Sequence, residues 1–135
     1  MFHSKTILLL IFLFCSAFFG STITQAEDKI RVGAILPLSG DAAFWGENPK
    51  KAIELALKDL KKVDPSLDLA IEFEDEACSP KEAVAAFYRL VNVKKVKVIL
   101  GPGCSASTAA IAPLAEKAKV SLLTFAESSE IKTGP

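Results

Sequence analysis

The residues VKVILGPGCSAST (96–108) constrain this chain more than any other stretch. A short apolar strand, 96–100, runs into a turn of Gly101, Pro102 and Gly103, which opens onto small hydroxyl residues at the start of a helix. The first amides of a helix have no intrahelical acceptors, and together with the helix dipole they attract anions. A small carboxylate or phosphate is therefore the first ligand class to consider, with Ser105, Ser107 and Thr108 beside the bare N–H groups. Helix capping is the other role open to these hydroxyls.

The rest of the chain repeats the strand-to-helix order. Residues 30–36 (IRVGAIL) read as a buried parallel strand ending at Pro37. A loop of small residues with Phe44 and Trp45 follows, and Pro49 marks the start of helix 1. In that helix Ile53, Ala56, Leu57 and Leu60 recur at i, i+3, i+4 and i+7, which predicts one face packed on the sheet. Residues 67–73 alternate as a second strand, and Glu72, Glu74, Asp75 and Glu76 crowd its end. Their spacing lacks the pattern of a calcium loop, so a solvated acidic loop is expected and no metal site is assigned. Ser79-Pro-Lys-Glu82 is a capping box with Pro at the first helical position. Val84, Phe87, Leu90 and Val91 place the stripe of helix 2, which ends near Asn92, with Tyr88 at the stripe's edge. Helix 3 runs from Ser105 to about Lys119, is rich in alanine, and is bent by Pro113. Residues 120–125 form a fourth strand. Four such units give an α/β fold, a parallel sheet with flanking helices and right-handed crossovers. Ligands of these sheets bind beyond the carboxyl ends of the strands, here the loops 39–45, 74–78, 101–107 and 125–129.

The opening residues carry different information. Lys5 is the only charge before Glu27, residues 7–19 are almost wholly apolar, and Thr24, Gln25 and Ala26 are suited to cleavage. This predicts a signal peptide over 1–26, since a membrane span needs about 20 apolar residues. Fifteen of the sixteen basic residues and all sixteen acidic ones lie beyond it, a net charge of −1. Such a balance argues against nucleic-acid binding. His3, the one histidine, leaves with the signal, and with it any Ser-His-Asp triad, Cys-His dyad or His-based metal site. Two cysteines remain, Cys78 and Cys104. An even count in an exported chain points to a disulfide, with free thiols as the alternative. Closing that loop would add about 3.5 kcal/mol.

Residues 30–46 (IRVGAILPLSGDAAFWG), 75–80 (DEACSP), 90–108 (LVNVKKVKVILGPGCSAST) and 120–133 resemble, at matching intervals, the N-terminal part of type I periplasmic binding proteins, in particular the branched-chain amino-acid (leucine/isoleucine/valine) binding proteins of ABC importers. The resemblance implies a Cys78–Cys104 disulfide and a two-lobed fold closing over an amino acid. It puts Ser105 where a hydroxyl and N–H hold the ligand carboxylate, and Ala126 where a backbone carbonyl receives the ammonium. Ser128 falls where a hydroxyl contacts ammonium or carboxylate, and Trp45 where an aromatic side chain lines the pocket. Phe125 stands where the family has Pro, and Glu127 where it has a small residue. Residues 27–135 would then be the N-terminal portion of such a domain, about four β-α units of lobe I, without the second lobe. A truncated gene, a split reading frame or a sequence fragment is the expectation.

The function expected from these readings is an extracytoplasmic, periplasmic solute-binding component that delivers an amino acid or similar small carboxylate to an ABC permease in the membrane, with no cofactor and no catalysis. A ligand sensor or envelope regulator of the same fold is the neighbouring alternative. A nucleotide-binding enzyme fragment fits less well: the third glycine of G-x-G-x-x-G is replaced by Ala106, and the turn follows the third strand rather than the first.

Overall fold

The apolar run after Lys29 forms β1 (Ile30–Leu36), the central strand of the computed structural model, which describes residues 29–127 and 131. The proposed signal peptide lies outside the described residues. On one side β1 pairs in parallel with β2 (Leu69–Asp75), Ile30 opposite Leu69 and Leu36 opposite Asp75. On the other it pairs with β3 (Val98–Leu100), which pairs in turn with β4 (Ser121–Leu123). The order is β2-β1-β3-β4, all parallel, as the strand and helix alternation predicts. β2 begins two residues later than its alternation suggests. Asp64 accepts hydrogen bonds from the Ser66 N–H and hydroxyl and from the Leu67 N–H, so the turn after the first helix absorbs the start of that run.

Three helices connect the strands: α1 (Phe44–Val63), α2 (Pro80–Tyr88) and α3 (Ser105–Ala118). α2 opens on the predicted cap, with Ser79 Oγ accepting the Glu82 N–H at 3.5 Å. It continues into one π-helical turn over Arg89–Val93. α2 and α3 share one face of the sheet. Phe87, Leu90, Ile111 and Ala115 interlock there with Ile35 and Ile99, all buried. Gly33 leaves the room this needs, because a Cβ there would lie 2.7 Å from Leu90 Cδ1.

α1 departs from expectation twice. It starts at Phe44, so Pro49 lies inside the helix and not at its start. A 3₁₀ turn over Gly40–Ala42 leads directly into it, and the Gly46 and Glu47 amides both donate to the Ala43 carbonyl, at 3.0 and 3.1 Å. The absent N–H of Pro49 costs one bond, to the carbonyl of Trp45. The predicted packing stripe is also only half-buried. Ile53 and Leu57 are partly covered, whereas Ala56 and Leu60 are exposed. Among the described residues α1 is the one helix on its face of the sheet. It reaches β2 where Lys50 Nζ lies 5.6 Å from the Phe73 ring centre. No helix among the described residues is long and apolar enough to cross a membrane.

Candidate functional site

Because β1 is flanked by β2 on one side and β3 on the other, the chain leaves β1 and β3 in opposite directions. A crevice forms between the two departing segments. A cleft of about 780 Å³ opens at this point. The segment after β1 supplies Asp41, Phe44, Trp45 and Asn48, the segment after β3 supplies Gly103, Cys104 and Ser105, and Phe125 closes the side beyond β4.

Gly101 sets the height of the turn after β3. Its φ is +90°, and a Cβ there would lie 2.1 Å from the carbonyl oxygen of Ile35. Its N–H donates to the Leu123 carbonyl at 2.8 Å, and the Thr124 hydroxyl donates to the Pro102 carbonyl at 2.9 Å. Thr108 Oγ1 lies 3.2 Å from Thr124 Oγ1 and donates to the Cys104 carbonyl at 3.1 Å. Two threonines thus join the turn to the loop after β4.

The bare amides predicted at this turn are partly occupied. Glu76, fully buried, places Oε1 2.8 Å from the Gly103 nitrogen and 3.3 Å from that of Cys104, accepting from both. A carboxylate of the chain itself therefore caps α3, and the free first-turn amides begin at Ser105. Burial pushes the Glu76 carboxyl above its usual range; the hydrogen bonds from the two amides pull the other way. Its Oε2 and Ser107 Oγ each lack a hydrogen-bond partner among the described residues.

The acidic loop is accordingly not a solvated one. Glu72 holds Arg31 at 2.8 Å and Lys94 at 3.1 Å, and Glu74 holds Arg89 at 2.8 Å. Asp75 Oδ1 accepts from Leu38 N–H at 2.8 Å and Ala77 N–H at 2.9 Å. Burial opposes ionisation of Asp75, but hydrogen bonds from Ser39, Ala77 and Leu38 outweigh it and hold its carboxyl low. Among the described residues no group of His, Cys, Asp and Glu could hold a metal ion. Ala77 and Cys78 follow with φ of 44° and 51°, a left-handed pair that directs Cys78 toward α3. The disulfide joins Cys78 to Cys104, with Cα atoms 5.4 Å apart.

Of the residues assigned to ligand binding, Ser105 and Trp45 stand in the cleft wall. Ser105 Oγ donates to the Glu127 carbonyl at 3.0 Å. Ala126 is half-buried beside the cleft and is not part of its wall; its N–H donates to Thr124 Oγ1 at 3.0 Å. Ser128 lies outside the described residues. Ser107 and Thr108, expected beside the bare amides, are fully buried, because the second and third positions of that hydroxyl row turn under the helix toward the core. Asp41, Phe44, Asn48 and Phe125 are wall residues that the sequence reading did not assign. The clustering of Asp41, Phe44 and Trp45 after a strand was the available signal.

Residues 29–135 match the family model described as periplasmic binding protein. The Leu/Ile/Val-binding protein of Escherichia coli K12 is 32% identical over 117 residues, covering 85% of this chain and 31% of that protein. The gamma-aminobutyric acid type B receptor subunit 1 of Mus musculus is 30% identical over 105 residues, 74% of this chain and 11% of the receptor subunit. The solute-binding protein of an ABC transporter from Rhodopseudomonas palustris BisB5, solved with 3,4-dihydroxybenzoic acid, superposes with a TM-score of 0.71 at 32% identity, covering 78% of this chain and 29% of that one. The chain thus spans about a third of the length of these bacterial relatives. The parallel sheet, its carboxyl-edge cleft and these matches together establish that the chain belongs to the periplasmic binding protein family.

Proposed function

We propose that the chain is part of an exported solute-binding component of an ABC importer, recognising an amino acid or similar small carboxylate through Ser105 and Trp45, with Ala126 and Ser128 as the further contacts that the family resemblance implies, and handing it to a membrane permease. The observation that carries this reading is the cleft at the switch point, with Ser105 and Trp45 in its wall. The bacterial relatives support this reading, one by its name as a Leu/Ile/Val-binding protein and one as the solute-binding protein of an ABC transporter, solved with an aromatic acid. Residues 1–26 would direct the chain out of the cytoplasm and be removed. A ligand-sensing role is the second reading, favoured by the likeness to a receptor subunit. Both are binding roles, in keeping with a family of solute-binding proteins.

Trp45 is the single tryptophan of the chain, so its indole N–H gives one resonance that reports directly on the cleft. Titration with the common amino acids and with hydroxybenzoates should move that resonance saturably for at least one of them. A resonance unmoved by every compound up to about 10 mM, a level below which even weak specific binding shows, would remove the ligand-binding reading.

A further inference from the structure

The electrostatics of the cleft favour a different feature of the ligand from the one the bare-amide picture selects. Two amides of the turn, those of Gly103 and Cys104, are already held by Glu76, whose second oxygen is buried without a partner among the described residues. A carboxyl group of the chain itself therefore sits behind the Gly103 and Cys104 part of the cleft wall. Among the described residues that line the cleft there is no lysine or arginine, and the one charged side chain is Asp41. The lysines on the adjoining turns of α1 are engaged by their own helix, Lys50 with Glu54 at 3.8 Å and Lys51 with Glu47 at 3.6 Å. Among the described residues no cation pairs with Asp41.

The opposite sign of ligand is well served. Phe44, Trp45 and Phe125 are 69%, 73% and 51% exposed, and all three line the cleft. Phe44 and Trp45 pack edge to face, their ring centres 5.8 Å apart, which leaves ring surface open to solvent. Aromatic faces attract cations through their quadrupole, and a carboxylate beside them adds a direct charge partner.

Resting on the ligand-binding reading above, we infer that Asp41 is a specificity-determining residue that receives a cationic nitrogen of the ligand against the Phe44, Trp45 and Phe125 wall, so that this lobe selects ligands bearing an ammonium group over carboxylates of the same shape that lack one. The hydroxybenzoate class bound by the Rhodopseudomonas relative is then disfavoured here. Asn48 and Ser105 remain as neutral partners for the ligand's polar groups.

Four compounds separate the possibilities when titrated against the full chain and followed through the Trp45 indole resonance: leucine, isoamylamine, isovalerate and 3,4-dihydroxybenzoate. Leucine and isoamylamine should bind about tenfold more tightly than isovalerate, the product of one exposed charge pair and one cation–π contact. In Asp41→Asn the two nitrogen-bearing ligands should weaken about fivefold and isovalerate should tighten, closing the gap. The remaining amide resonances show whether the variant keeps its fold. Isovalerate or 3,4-dihydroxybenzoate binding as tightly as leucine would overturn the inference while leaving the cleft as a ligand site. A preference that survives unchanged in Asp41→Asn would overturn the role of Asp41. Failure of all four to bind would remove the ligand-binding reading itself.

Discussion

At the scale of single residues, the turn after β3 rests on one backbone conformation. Gly101 combines a φ of +90° with a Cβ direction blocked 2.1 Å away by the Ile35 carbonyl. An alanine there must both adopt a disfavoured conformation and push β1 and the turn apart. Gly101→Ala should therefore cost more than about 3 kcal/mol of stability. Gly40 provides the contrast: its φ is +70°, but no atom lies within 4 Å of its Cβ direction, so Gly40→Ala should cost only about 1 kcal/mol. Urea unfolding of the two variants checks the difference. Equal losses would mean that conformation alone matters and that the close approach to Ile35 carries no weight. Gly101 was readable in the sequence as a turn residue. Its contact with Ile35 was not, since that requires knowing that β1 and β3 are neighbours.

At the scale of elements, the start of α3 is held by a side chain from another strand's loop. The sequence showed an acidic cluster after β2 and a hydroxyl-rich helix start after β3, and each was legible as a type of segment. That Glu76 crosses between them was not, because 27 residues separate it from Gly103 and no local spacing records the contact. The strand pattern also hid which acids turn inward: Asp75 and Glu76 bind backbone amides, whereas Glu72 and Glu74 meet cations at the surface. The direction of the Glu76 shift gives a pH dependence of definite sign. Its carboxyl binds a proton more tightly in the folded state than in the unfolded chain, so its contribution is most favourable at low pH. That contribution declines as pH rises above about 4.3, the usual glutamate value, toward the higher folded one. Glu76→Gln keeps one acceptor for the Gly103 and Cys104 amides and carries no charge. Measured by urea unfolding, its stability relative to the parent chain should therefore improve between pH 4.5 and pH 7. Glu76→Ala leaves two buried donors and a cavity, and should cost about 2–4 kcal/mol at both pH values. A Gln variant whose relative stability does not change with pH would show that the carboxyl is not held above its ordinary range. The Asp75 carboxylate acts with the opposite sign, adding stability at neutral pH that is lost on acidification.

At the scale of the molecule, the two faces of the sheet are unequally covered, and this is where the reading from sequence and the structure differ most. Strand order, helix count, the capping box at Ser79 and the stripe of α2 were all legible, because each is written in a local period or a local cap. The stripe of α1 was legible as an apolar stripe, but periodicity does not say what covers it. On the α2 and α3 face, Phe87, Leu90, Ile99, Ile111 and Val96 are sealed from solvent. On the other face α1 leaves Ile53 and Leu57 only partly covered, Leu60 at 48% exposure and Val63 at 86%. At about 25 cal/mol per Å² of apolar surface buried, a helix that buries so little of its stripe gains little from the sheet. Its remaining support comes from intrahelical hydrogen bonds and exposed ion pairs worth a few tenths of a kcal/mol each. α1 should therefore open by itself, well before the molecule unfolds. Native-state hydrogen exchange tests this directly. Amides of α2, α3 and β1 should exchange only through global unfolding, while those of α1 exchange through local opening at least about 2 kcal/mol less costly, roughly thirtyfold faster. The difference should persist across denaturant concentrations, since local opening exposes little surface and global unfolding exposes much. Equal protection in α1 and α2 would require the exposed stripe to be covered in solution. It would also mean that the wall carrying Phe44 and Trp45 is as rigid as the turn it faces. Faster exchange in α1 makes that wall the movable side of the cleft and the α3 start, pinned by Glu76 and the Cys78–Cys104 bridge, the fixed one.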